Sequence, residues 1–138
     1  MRNNININNP SIFVFYVKST GHNTFISIFK EGRLINKKNT PGITLLRVFS
    51  CGFFGFKNRK KETPYASSIL ANKSTIYALQ KGGLYIRIIF KGISVLKKII
   101  LTTIMKTKYK NKQLRILSIT DETRYPHNGC RAKKRKRR

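Results

Sequence analysis

Thirty Lys and Arg side chains share this 138-residue chain with four carboxylates, Glu31, Glu62, Asp121 and Glu122, and no acid occurs between Thr63 and Thr120. The resulting formal charge of +26 constrains the fold before any other feature does. Self-repulsion on that scale costs a compact state stability unless a polyanion neutralises it. Nucleic acid is therefore the leading class of partner, and an anionic membrane surface stands behind it. An apolar fraction of 40% separates the chain from a simple disordered basic tail. The length suits one domain with one modest core.

The apolar residues come in short blocks such as Ile12-Phe13-Val14-Phe15-Tyr16-Val17. None approaches the roughly 18 continuous apolar residues of a membrane span. They alternate at strand and helix periods, as an interior core requires, and this argues against a lipid-surface binder. No secretory or organelle-import signal is expected, because residues 1–11 are Asn-rich with one Arg and no small-residue cleavage site follows them. Ile, Lys, Asn, Phe, Tyr and Met supply 66 residues, while Gly, Ala, Arg and Pro supply 28. The first group has AT-rich codons, so the gene belongs to an AT-biased, organelle-type genome.

Residues 12–17 and 23–29 read as two strands joined at the turn signal Thr20-Gly21-His22-Asn23. In the second, Phe25, Ser27 and Phe29 alternate with Thr24, Ile26 and Ile28, so both faces carry apolar surface. Glu31-Gly32-Arg33 signals another turn, Asn36 to Gly42 a polar loop, and Leu45 to Phe49 a third strand. Cys51 to Glu62 reads as a Gly- and Phe-bearing basic loop. Thr63-Pro64 then starts a helix, with Thr as cap and Pro at the first helical position, where its missing N–H costs nothing. Tyr65, Ile69, Ile76 and Leu79 fall on one face of that helix, and Gly82-Gly83 end it. Leu84 to Phe90 predicts a fourth strand buried on both faces. Val95, Leu96, Ile99, Ile100 and Ile104 predict a second helix, Lys106 to Gln113 a charged loop, and Leu114 to Thr120 a last strand. The order β-β-β-α-β-α-β gives an α/β domain with a mixed sheet over residues 12–120. Residues 121–138 form a basic tail, whose final eight positions hold seven cations and stay disordered until a polyanion orders them.

The segment Tyr125-Pro126-His127-Asn128-Gly129-Cys130-Arg131, followed by Lys and Arg, resembles the C-terminal signature of the universal small-subunit ribosomal protein S11 family. Asp121 and Thr123 stand where that family places an Asp-x-Thr. His22-Asn23-Thr24-Phe25-Ile26-Ser27-Ile28 is similar to its Asn-Thr strand. Gly52-Phe53-Phe54-Gly55 with Arg59-Lys60-Lys61 resembles its glycine-rich basic loop, and Thr63-Pro64-Tyr65-Ala66 the opening of its first helix. The chain departs from the bacterial pattern after Lys91-Gly92, where Ile93-Ser94-Val95-Leu96-Lys97-Lys98 replaces a Gly-Pro-rich turn. Mitochondrial members share that loss, so the resemblance points to a mitochondrial ribosome, with a plastid as the alternative.

The resemblance implies a ribonuclease-H-like three-layer fold and a place on the small-subunit platform, beside the mRNA exit path. Implied partners are small-subunit rRNA, neighbouring platform proteins and mRNA near its exit, with no membrane and no small-molecule substrate. The alternative is another basic nucleic-acid-binding protein with the same fold and no catalytic carboxylates. Two-metal phosphodiester chemistry needs several carboxylates converging on cations about 4 Å apart. Four acids, two of them adjacent, do not build that cluster, so no enzyme activity is expected.

The rRNA-binding candidates are Asn23, Lys57, Arg59, Lys60, Lys61, Lys91, His127, Asn128, Arg131, Lys133, Lys134, Arg135, Lys136, Arg137 and Arg138. Flexible cations collect phosphates by charge, and Arg131 suits a bidentate clamp. Two readings stand for Phe53, Phe54 and Phe56: a stacking platform for unpaired bases, or a cap on the sheet core. His127 and Cys130 lack a second pair at zinc-ligand spacing, since His22 and Cys51 lie far apart, so neither metal nor cofactor is expected. Cys51 and Cys130 are both expected to be packed thiols, Cys130 within a tight turn. Asn128-Gly129 is prone to succinimide formation, and the resembling family is known for modification at the matching Asn.

Overall fold

The computed structural model describes residues 12–34, 41–131 and 133–134. A five-stranded mixed sheet has the order β3-β2-β1-β4-β7, built from Ile12–Ser19 (β1), Thr24–Leu34 (β2), Pro41–Ser50 (β3), Tyr85–Lys91 (β4) and Arg115–Asp121 (β7). β2 runs antiparallel to β1 and β3, while β4 runs parallel to β1 and β7 parallel to β4. β1, β3, β4 and β7 therefore all end at the same edge of the sheet. The α/β class, the mixed sheet and the element order are as expected. The helices Pro64–Gln80 (α1) and Lys97–Lys106 (α2) pack on each other and on one face of the sheet. Both helices contribute buried side chains to this single core.

The core is the contact between that sheet face and the two helices. Phe13, Phe15 and Val17 of β1 pair with Ile86, Ile88 and Phe90 of β4. Phe15 and Val17 also face Ile28 and Ile26 of β2, and all of these side chains are buried with Ile100 and Ile104 of α2. The strand alternation thus selects one face, and β4 is buried on that face alone. Arg87 and Lys91 are exposed and Ile89 only half-buried, contrary to the two-sided burial its apolar run suggested.

α1 begins as its sequence dictates: the Thr63 hydroxyl accepts from the Ala66 N–H at 3.2 Å, and Pro64 is the first helical residue. Its buried face is not the Tyr65–Ile69–Ile76–Leu79 stripe, since Tyr65 is 68% exposed. Ala66, Ser67, Leu70, Ala71, Ser74, Thr75, Ala78 and Leu79 face inward instead. Small side chains let the helix approach the sheet closely, and Ser74 and Thr75 hide their hydroxyls by donating to the carbonyls of Leu70 (2.7 Å) and Ala71 (2.8 Å).

Three further segments differ from expectation. β2 continues through Glu31-Gly32 because Gly32 packs against the Gly42 carbonyl across an irregular stretch of the β2–β3 ladder, where a Cβ would stand 3.1 Å from the oxygen. The polar loop expected over Asn36 to Gly42 lies largely outside the described residues, and Pro41-Gly42 opens β3. The expected loop from Lys106 to Gln113 holds a small hairpin, Lys108–Tyr109 (β5) against Lys112–Gln113 (β6), whose Lys110 and Asn111 both adopt positive φ. α2 starts at Lys97, leaving Val95 91% exposed before it.

Candidate nucleic-acid interface

Because four strands end together, the loops that follow them gather at the carboxyl end of the sheet, the usual ligand-binding edge of open α/β sheets. β3 leads into two short 3-10 turns, Cys51–Phe54 and Asn58–Glu62. β1 leads into the Thr20–Asn23 turn, β4 into Gly92, and β7 into the C-terminal segment.

Three of the four carboxylates tie these loops together. The Glu62 carboxylate meets His22 Nδ1 at 3.0 Å, joining the second 3-10 turn to the β1–β2 turn. Glu122 pairs with Lys91 at 3.1 Å, and Asp121 with Lys97 at 2.7 Å. Lys97 also donates to the Thr123 hydroxyl at 3.1 Å, and that hydroxyl donates its one proton to Asp121, the closer acceptor, with the Gly92 carbonyl 3.3 Å away. The ammonium of Lys97, seconded by Thr123, holds the Asp121 carboxyl at about 2, well below the usual carboxylate range. The fourth acid, Glu31, pairs with Arg87 at 3.3 Å on the other face of the sheet. Among the described residues no three His, Cys, Asp or Glu side chains gather as a metal site would require.

The cations expected to bind phosphate divide by environment. Lys57, Arg59 and Lys60 are exposed around the second 3-10 turn. Lys61 is half-buried, its Cε lying 3.6 Å from where a Gly52 Cβ would stand. Asn58, inside this run, takes a φ of 48°. Lys91 is held by Glu122 and sits 5.1 Å over the Tyr16 ring, at the rim of an open cleft of about 750 Å³ lined by Ser19, Thr20, Gly92, Thr123 and Arg124. Asn23 is used locally, its side-chain oxygen accepting from the Thr24 N–H at 2.9 Å. His127, Asn128, Arg131, Lys133 and Lys134 are exposed in a segment without regular secondary structure; Arg135 to Arg138 lie outside the described residues.

The two cysteines part company. Cys51 is buried under the first 3-10 turn, and burial pushes its thiol up. Cys130 is exposed rather than packed, lying in a bend of a segment without regular secondary structure whose residues 124–131 are all exposed.

The family model for ribosomal protein S11 matches residues 14–137, nearly the whole described fold. The chain belongs to the ribosomal protein S11 family. Among its S11 relatives, a small ribosomal subunit protein uS11 from Carsonella ruddii is 34% identical over 124 residues, covering 90% of this chain and 92% of the relative. The uS11c proteins of Phaeodactylum tricornutum and Cyanophora paradoxa are 33% and 32% identical, covering 90% and 94% of this chain and 84% and 88% of their own lengths.

Two groups at this S11 edge escaped sequence reasoning. Arg124 lines the cleft beside Lys91. Arg47 of β3 places its guanidinium 5.2 Å from the Phe49 centroid, 5.5 Å from Phe53 and 5.6 Å from Tyr77. No local pattern announces the second, because its partners come from β3, a 3-10 turn and α1.

Proposed function

We propose that this chain is a structural, non-catalytic constituent of the small ribosomal subunit that locks folded platform rRNA near the mRNA exit path. The observation carrying this reading is the convergence of four strand ends, which presents the exposed Lys57, Arg59 and Lys60 and the basic C-terminal segment from one edge. Exposed cations on a rigid sheet edge position phosphates, while an extended basic segment follows the RNA and orders on contact. The carboxylates support a positioning role over phosphodiester chemistry, since each is committed to a base and they do not converge on a metal. The amino-acid composition, rich in residues with AT-rich codons, supports an organellar ribosome, and the replacement of the Gly-Pro-rich turn by a stretch carrying Lys97 favours the mitochondrion over the plastid.

The test is binding of a platform rRNA fragment over a salt series. Arg59→Ala with Lys60→Ala should weaken binding and lower the salt slope by about 1–2 units, at roughly 0.7–0.9 for each phosphate no longer neutralised. An unchanged slope and affinity would remove this edge from the interface. Co-sedimentation of the tagged chain with mitochondrial rather than plastid small subunits tests the compartment.

A further inference from the structure

The first 3-10 turn gives its phenylalanines different environments. Phe54 is half-buried and lies nearly parallel to the buried Phe49, with ring centroids 5.8 Å apart and planes inclined at 19°. Phe56 also packs against the core. Phe53 remains 61% exposed. It meets Phe49 and Phe54 at 67° and 85°, so neither of these rings stacks on it. The core-cap reading thus holds for Phe54 and Phe56 and fails for Phe53.

Phe53 does not stand alone. Arg47, an exposed residue, sets its guanidinium over the ring at 5.5 Å from the centroid, and Tyr65, 68% exposed, stands 6.1 Å from Phe56 at the start of α1. Lys57, Arg59 and Lys60 are exposed in the stretch that joins the two. The acid in this stretch, Glu62, is committed to His22. The patch therefore combines a ring that stays 61% exposed, a planar cation over it and a row of further cations. An apolar protein partner would have to desolvate those cations. A nucleobase bearing its own phosphate satisfies ring and charge together.

We infer that Phe53, flanked by Arg47, is a stacking site for one unpaired nucleobase, with Arg59 and Lys60 holding the adjoining phosphates. This rests on the RNA-binding reading above and adds to it a contact that discriminates single-stranded from paired RNA. A base inside a duplex is already stacked on both faces and gains nothing from the ring, whereas an unpaired base gains about 1–3 kcal/mol, or roughly 5- to 150-fold in affinity.

The full-length chain contains no Trp, so Phe53→Trp introduces a lone fluorescent reporter. Its emission should be quenched by a short single-stranded oligoadenylate and hardly altered by a blunt RNA duplex carrying the same number of phosphates. Phe53→Leu, which keeps the site apolar without a π-face, should weaken oligoadenylate binding at least 5-fold at constant salt slope while leaving duplex binding within 2-fold, in line with a loss of about 1 kcal/mol or more. Wild-type affinity of Phe53→Leu for oligoadenylate, or equal quenching by duplex, overturns the stacking site while leaving RNA binding intact. Failure of the wild-type chain to bind either RNA refutes the parent reading as well. An indole response to a polyglutamate peptide in place of RNA would assign the patch to an acidic protein segment and overturn the inference.

Discussion

Adding one methyl group at Gly92 tests whether the carboxyl edge is as tightly built as its role requires. Gly92 has a φ of +101°, and a Cβ there would collide with the backbone carbonyl oxygen of Ser19. That carbonyl has little room to retreat: Ser19 is 2% exposed, its hydroxyl lies 3.1 Å from that of Thr24, it pairs with Thr24 of β2, and the preceding Lys18 pairs with Lys91 of β4. Holding alanine at positive φ costs about 1–2 kcal/mol, and forcing a methyl into a filled space costs about 1–3 kcal/mol more. The loss of glycine's freedom in the unfolded chain returns about 0.4–1 kcal/mol. The net expectation for Gly92→Ala is a destabilisation of about 2–4 kcal/mol, a large share of a typical ~5–15 kcal/mol. At about 4 °C per kcal/mol for a chain of this size, the melting temperature falls by roughly 8–16 °C. Two other glycines separate the causes. Gly82 also has positive φ (+81°) but open space around its Cβ position, so Gly82→Ala carries the backbone strain alone, about 1 kcal/mol. Gly21 has neither problem, and Gly21→Ala should fall within ~0.5 kcal/mol of wild type. Thermal unfolding followed by far-ultraviolet circular dichroism, at one fixed salt concentration, compares the three. A Gly92→Ala protein no less stable than Gly82→Ala would refute the close approach of the two backbones.

Removal of Arg131 to Arg138 deletes seven cations, and the salt slope for a platform rRNA fragment should shrink by up to ~5 units at ~0.7 per phosphate; an unchanged slope would exclude the tail from the interface. Ser67 is fully buried and its hydroxyl has no hydrogen-bond partner among the described residues, so Ser67→Ala should stabilise the fold by about 1 kcal/mol in urea melts. The depressed Asp121 carboxyl binds its proton less readily folded than unfolded, so its contribution is present above pH ~4 and is lost as pH falls towards about 2. Lys97→Met should flatten stability against pH in that window, and titration of both proteins by urea unfolding checks it. Ellman's reagent should modify exposed Cys130 rapidly and buried Cys51 only on unfolding, and equal rates would contradict their placement.

The elements whose signals are local were legible: the Thr63-Pro64 helix start, the Gly82-Gly83 stop and the presence of strands around Phe13, Ile26 and Ile88, though not which single face of β4 is buried. The inward face of α1 was not, because apolar bulk points to Tyr65 and Ile69 while close approach to a sheet selects Ala66, Ala71 and Ser74. The hairpin at Lys110-Asn111 was hidden because its turn lacks the glycine that usually marks positive φ. At the candidate site, individual cations were legible as residue types, but their shared edge follows from strand direction, which pairs residues distant in sequence. The same geometry gives the few acids a meaning that composition concealed. Four carboxylates cannot offset thirty cations, and three of them stand at the carboxyl end, where the positive loops converge. There Glu62 fastens the 3-10 turn to the β1–β2 turn, Glu122 fastens the C-terminal segment to the end of β4, and Asp121 fastens it to α2. Each pin occupies Lys91, Lys97 or His22 and leaves Lys57, Arg59, Lys60 and Arg131 facing outward. The acids thus fix the geometry of the basic edge without neutralising it, and on the proposed RNA-binding reading compensation of the remaining charge falls to the rRNA.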